Sequence, residues 1–227
     1  MTYLLTLALL PVFLLIVFIY RKDSVNPEPL SMIVKALVFG VLSCFVSLLL
    51  TSFLEDGDDF IDAFTGAALP EEFAKLLMLW LLVRKSKYFD EPIDAIVYAV
   101  CVSLGFAGFE NILYLVDEED MLSTGIMRAL FSIPGHFSFA VCMGYFYALA
   151  HFGQNKRILY KILAYVCPVL LHGLYDGLLS INDDETWIII LPLWVIFCII
   201  MYRKSLKRIA KIKEMTEQTS TDEQTAQ

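Results

Sequence analysis

The chain has 227 residues, 58% of them hydrophobic and 19% charged, with a mean hydropathy of +0.67 and a formal net charge of -8. One soluble core of this length cannot hide so much apolar surface, so the bilayer is the expected solvent and an all-α, polytopic membrane helix bundle the expected fold class. No nucleic acid is expected as a partner, because no basic patch is interleaved with aromatics outside the juxtamembrane segments and no RNA- or DNA-binding motif occurs.

A spanning helix needs about 20 mostly apolar residues. Seven stretches qualify, at about 3–20, 32–53, 64–83, 92–115, 123–150, 158–180 and 186–202. No Lys or Arg precedes Arg21 and no small-residue cleavage site follows the first run, so that run is expected to be an uncleaved anchor. Residues 1–204 are expected to form a transmembrane helical domain. Residues 205–227 read as a basic then polar cytoplasmic tail, a short helix at the inner surface followed by disorder. The five cysteines lie inside apolar stretches without C-x-x-C spacing and read as packing residues.

Charge alternates from loop to loop. Arg21, Lys22 and Lys35 flank the first loop, Arg84, Lys85 and Lys87 the third, Lys156, Arg157 and Lys161 the fifth, and six basic residues follow the seventh span. The even loops carry Glu55 to Asp62, Asp117 to Asp120, and Asp183 to Glu185. The positive-inside rule then places the N-terminus outside and the C-terminus in the cytoplasm, which requires an odd number of spans. Clustered carboxylates at Glu55 to Asp62 could ligate Ca²⁺, but they lack EF-hand spacing and read as a solvated loop.

Several ionisable residues fall inside the spans, where each costs about 2.5–3.5 kcal/mol on insertion scales and so needs a shared polar site. In the third span Glu71, Glu72 and Lys75 form E-E-x-x-K, which places Lys75 one turn from Glu71 with Glu72 beside it. The fourth holds Glu110 in F-E-N-I-L-Y, with Asn111 and Tyr114 as supports or as ordinary interface groups. The fifth holds His136 in P-G-H, and the sixth His172 and Asp176 at i and i+4. At 1.5 Å per residue, Glu71, Glu110 and His172 lie about 10, 8 and 12 Å below the outer ends of their spans. His136 counts as deeper, unless Pro134 and Gly135 break its helix and lift it. Gly173 and Gly177 offer a small-residue face beside His172, and Gly105 and Gly108 precede Glu110. Arg128 reads mainly as a packing or interfacial group.

Two adjacent carboxylates, a third on another helix and two histidines are more than bundle stability requires. Peptide hydrolysis needs an activated water and a stabilised oxyanion, and a buried carboxylate is a stronger base than a solvated one. Glu71 or Glu72 supplies that base. His172 or His136 donates to the oxyanion or the leaving amine, and Asp176 sets the histidine tautomer. A second route uses the same atoms: Glu72, Glu110, His136 and His172 could hold Zn²⁺, which acidifies a bound water. A proton- or ion-coupled carrier would also use such a relay, although no internal repeat supports one. A third alternative is a non-catalytic scaffold that binds single-pass partners.

E-E-F-A-K at 71–75, F-E-N-I-L-Y at 109–114, P-G-H at 134–136 and H-G-L-Y-D at 172–176 resemble the PrsW family over nearly the whole chain. The resemblance implies a bacterial cell-membrane protease that makes the first, extracytoplasmic cut in a single-pass anti-sigma factor. It also implies a distant kinship with the CAAX prenyl endopeptidases and bacteriocin-processing proteases. By that likeness Glu71 and Glu72 match an essential diglutamate, Lys75 its basic companion, Glu110 the second acidic motif and His172 the late histidine.

Overall fold

The computed structural model describes residues 2–23, 25–54, 58–116, 118–181 and 186–225, and these are helices joined by short turns, with no strand among them. In chain order the helices are α1 Thr2–Tyr20, α2 Leu30–Thr51, α3 Asp59–Asp62, α4 Leu69–Val83, α5 Pro92–Val116, α6 Met121–Met127, α7 Ile133–His151, α8 Arg157–Ser180 and α9 Trp187–Thr225. Two π-helical segments, Ala63–Ala68 and Arg128–Ser132, fuse α3 to α4 and α6 to α7. The acidic positions Glu55, Asp56, Asp117, Asp183, Asp184 and Glu185 lie outside the described residues.

Six rods are long and apolar enough to cross a bilayer. The third expected span is also present, as a continuous helical rod from Asp59 to Val83 in three pieces. Its α4 part has only 15 residues and carries Glu71, Glu72 and Lys75, so length and charge set it apart from the other six. The count is therefore about seven, and the chain is a multi-pass membrane protein.

α5 is the axis of the bundle and packs against α1, α2 and α7. Its most apolar window is 72% buried, against 22% for α1, because its residues are small and apolar on every side. Gly40 and Gly105 make that packing possible: a Cβ on either would collide with the other helix's backbone. The G-x-x-x-G face of α8 has a different use. Gly173 and Gly177 receive the rings of Phe64 and Phe60 from the α3 rod, which pins that rod beside His172.

Both π-helical segments precede a proline at the second position of the next helix, Pro70 in α4 and Pro134 in α7. Proline has no N–H for the carbonyl four residues earlier, so the backbone widens there. The Gly66 carbonyl, four residues before Pro70, instead accepts from Thr51 Oγ1 of α2 at 3.0 Å. In the second segment the Phe131 carbonyl accepts from Tyr202 Oη of α9 at 3.2 Å.

α9 runs for 39 residues through Thr225, so position 204 falls within it and residues 205–225 are helical. Ile209 and Ile212 are buried, Met215 packs beside them, and Thr216 Oγ1 accepts from the Ile93 N–H of α5 at 3.1 Å. This i, i+3, i+4 apolar stripe is diluted by Lys, Glu and Gln, so window hydropathy falls although one face still packs.

Candidate active site

The site is built from the first turns of α4 and α7, the last third of α5 and the second half of α8. The two proline-started helices deliver their polar residues just after the π-helical segments: Pro70, Glu71 and Glu72 in one, Pro134, Gly135 and His136 in the other. π-Helical widening rotates the residues that follow, which is one way a side chain is re-aimed into a bundle.

Lys75 organises the acidic pair. Its Nζ lies 3.1 Å from Glu71 Oε2, 2.8 Å from Glu72 Oε1 and 3.3 Å from His136 Nδ1, with the Phe106 ring face 4.0 Å away. An ammonium has three hydrogens and no lone pair, so these three acceptors use all of them. His136 therefore accepts at Nδ1, carries its hydrogen on Nε2, and donates it to Glu110 Oε2 at 3.2 Å.

His172 stands opposite, with Phe139 stacked on it at 4.7 Å. Its Nδ1 donates to Glu72 Oε1 at 3.0 Å, while Nε2 lies 3.0 Å from Asp176 Oδ2 and 3.9 Å from Glu71 Oε2. Carboxylates only accept, so a proton or a metal ion must stand between Nε2 and these oxygens. The His172 and His136 rings meet edge to face, 5.3 Å between centroids.

His136 sits deep in backbone terms, as residue counting implies, since its carbonyl accepts from Ser103 Oγ, seven residues before Glu110 on α5. Side-chain reach closes the gap. Glu71, Glu110, His136, His172, Asp176 and Arg128 all line one cavity of about 290 Å³. Glu72 and Lys75 are fully buried behind its wall, and Glu72 Oε2 has no hydrogen-bond partner among the described residues.

Arg128 makes interhelical contacts of the kind expected of a packing group, and they fall on the candidate site. Its Nη2 lies 2.5 Å from Glu110 Oε2 and its Nε 2.5 Å from Asn111 Oδ1, so it brackets the acid that holds His136. Asn111 is anchored in turn by donating Nδ2 to the Ala8 carbonyl at 3.1 Å. Tyr114 touches Glu110 only indirectly: its ring lies 3.9 Å from the guanidinium, and it is otherwise exposed. One clue was available in the sequence, since Arg128 and Lys75 alone among the basic residues fall outside the inner loops and tail.

Part of this set could also hold a metal ion. Ligand atoms of Glu71, His136 and His172 lie within 4.8 Å of one another. Glu72 and Glu110 stand outside this group because Lys75 and His172 engage Glu72 Oε1, and Arg128 and His136 engage Glu110 Oε2. Two imidazoles and one carboxylate are the ligand set of many catalytic zinc sites.

Residues 28–202 match the family described as PrsW family intramembrane metalloprotease. Protease PrsW of Geobacillus kaustophilus is 38% identical over 189 residues, covering 79% of this chain and 82% of its own. The protein of the same name from Clostridioides difficile is 35% identical over 216 residues, covering 90% and 89%. That from Bacillus subtilis is 34% identical over 188 residues, covering 81% and 84%. No solved structure matches the chain. A match of this extent, on a multi-pass helical bundle, is decisive: the chain belongs to the PrsW family and is a membrane-embedded peptidase.

Proposed function

We propose that this peptidase makes the first, extracytoplasmic and membrane-proximal cut in a single-pass anti-sigma factor, with Glu71 and His172 acting on the scissile bond. The chain sits in the bacterial cell membrane with its N-terminus outside and its C-terminus in the cytoplasm, as loop charge requires. The observation that carries the reading is the convergence of Glu71, Glu110, His136 and His172 from four rods on one cavity. The loop-charge orientation puts that cavity in the outer half of the membrane, level with a juxtamembrane peptide.

In this reading Glu71 takes a proton from a water as the hydroxyl adds to the scissile carbonyl carbon. His172 Nε2 donates to the oxyanion, then passes its proton to the leaving amine as the C–N bond breaks. Glu71 returns its proton to His172 across the 3.9 Å gap, which restores the starting state. Glu72 holds His172 through Nδ1 and Lys75 holds both glutamates in place, while Glu110, secured by Arg128, fixes His136. The family's description implies a metal, and Glu71, His136 and His172 have the donors to hold one. Bound there, zinc would polarise the carbonyl and acidify a water.

The test uses purified protein in proteoliposomes with a membrane-tethered peptide. Glu71→Gln should lower cleavage about 10²–10⁴-fold, the usual worth of a general base, at unchanged protein level. Full activity in both Glu71→Gln and Glu72→Gln would remove the assignment. Loss of activity on chelation, restored by Zn²⁺, would assign the metal route, and indifference to chelator the glutamate route.

A further inference from the structure

At the other end of the bundle a second group of carboxylates meets. Asp23 follows α1, Glu91 precedes α5 and Asp94 lies in its first turn; one oxygen from each falls within 4.8 Å of the others. Asp23 and Asp94 are buried, 3% and 1% exposed. Backbone amides hold one oxygen of each. Asp23 Oδ2 accepts from Glu28 N at 3.1 Å, and Asp94 Oδ2 accepts from Asp90 N at 3.0 Å and Glu91 N at 2.7 Å. The other oxygen, Oδ1 in both, is buried with no hydrogen-bond partner among the described residues.

Nothing cationic offsets this charge. No Lys or Arg among the described residues pairs with Asp23, Glu28 or Asp94. Glu28 lies alongside, also buried, and its Oε2 accepts from Tyr98 Oη. Buried charge of one sign calls for a counter-ion.

We propose that Asp23, Glu91 and Asp94 bind a hard divalent cation, Mg²⁺ or Ca²⁺, which fastens the α1–α2 turn to the start of α5. The donors are all oxygen, which suits these ions rather than zinc or copper. The two aspartates are already oriented by backbone N–H groups, so little ordering remains for the ion to impose. The same turn of α5 holds α9 through Ile93 and Thr216, so the ion would lock three parts of the chain together. Asp94 is 16 residues from Glu110 on α5, about 24 Å along the helix, so this site stands apart from the proposed catalysis.

The test uses the full chain in nanodiscs of zwitterionic lipid, stripped with EDTA, with Mn²⁺ as a paramagnetic probe. Glu71→Gln/His172→Asn removes the donors of the outer cavity and should leave one saturable Mn²⁺ per chain, displaced by Mg²⁺ or Ca²⁺. Adding Asp23→Asn and Asp94→Asn to that background should abolish it. Mg²⁺ or Ca²⁺ should raise the Tm of the wild-type chain but not that of Asp23→Asn/Asp94→Asn. The proposal is overturned if no Mn²⁺ binds saturably once the outer donors are gone, or if binding survives loss of both aspartates. A wild-type Tm that is indifferent to both ions overturns it as well, and means that the carboxyls are neutralised by shared protons. That last measurement needs no variant to fold.

Discussion

The two ends of this bundle hold buried acid clusters of opposite design. Around the first turn of α4, Glu71, Glu72 and Glu110 meet Lys75, Arg128 and two histidines, so one oxygen of each carboxylate faces a cationic or imidazole donor. At the other end Asp23, Glu28 and Asp94 meet backbone N–H groups and a tyrosine but, among the described residues, no basic side chain. Burial alone therefore does not mark a catalytic cluster. The Glu71–Glu72 cluster differs in gathering bases, acids and donors of different kinds around one cavity, the setting in which protons can change hands.

Removing Lys75 would make the Glu71–Glu72 cluster resemble the Asp23–Asp94 one. Lys75→Met leaves two adjacent buried carboxylates without their cation and should destabilise the protein by about 3–5 kcal/mol, read as a lowered Tm in nanodiscs. An unchanged Tm would mean that Lys75 is not their counter-ion. Arg128→Gln should act on rate rather than folding, lowering cleavage about 10–100-fold at normal protein level, the usual effect of losing a group that orients a site residue. Normal cleavage would return Arg128 to packing alone. The smallest effect belongs to the Asp94 end: Thr216→Val leaves the buried Ile93 N–H without its acceptor and should cost about 1–3 kcal/mol with no change in cleavage rate. A large loss of activity there would show that the two ends are coupled.

Much of this arrangement was legible in the sequence. Apolar runs of the right length, loop charge and the spacing of Glu71, Glu72 and Lys75 are local signals, and helical geometry turns them into a bundle with an acidic pair on one face. Which glutamate faces the cavity was not legible. Adjacent helix positions differ by about 100°, and the rotation of α4 is set by the π-helical segment before Pro70 and by Phe60 and Phe64 seated on Gly177 and Gly173. Which groups Arg128 pairs with was not legible either, because its partners Glu110 and Asn111 belong to another helix. Asp94 carries no local signal in the sequence, because Asp23, which meets it from the end of α1, comes beside it only in the folded bundle.

The central claim is that Glu71 and His172 act as one unit. The measurement is the cleavage rate of a membrane-tethered peptide by Glu71→Gln, His172→Asn and the double variant in proteoliposomes. If they act together, the double variant loses no more than the worse single one. Losses that multiply would show that the two side chains contribute independently, and the shared site would be refuted.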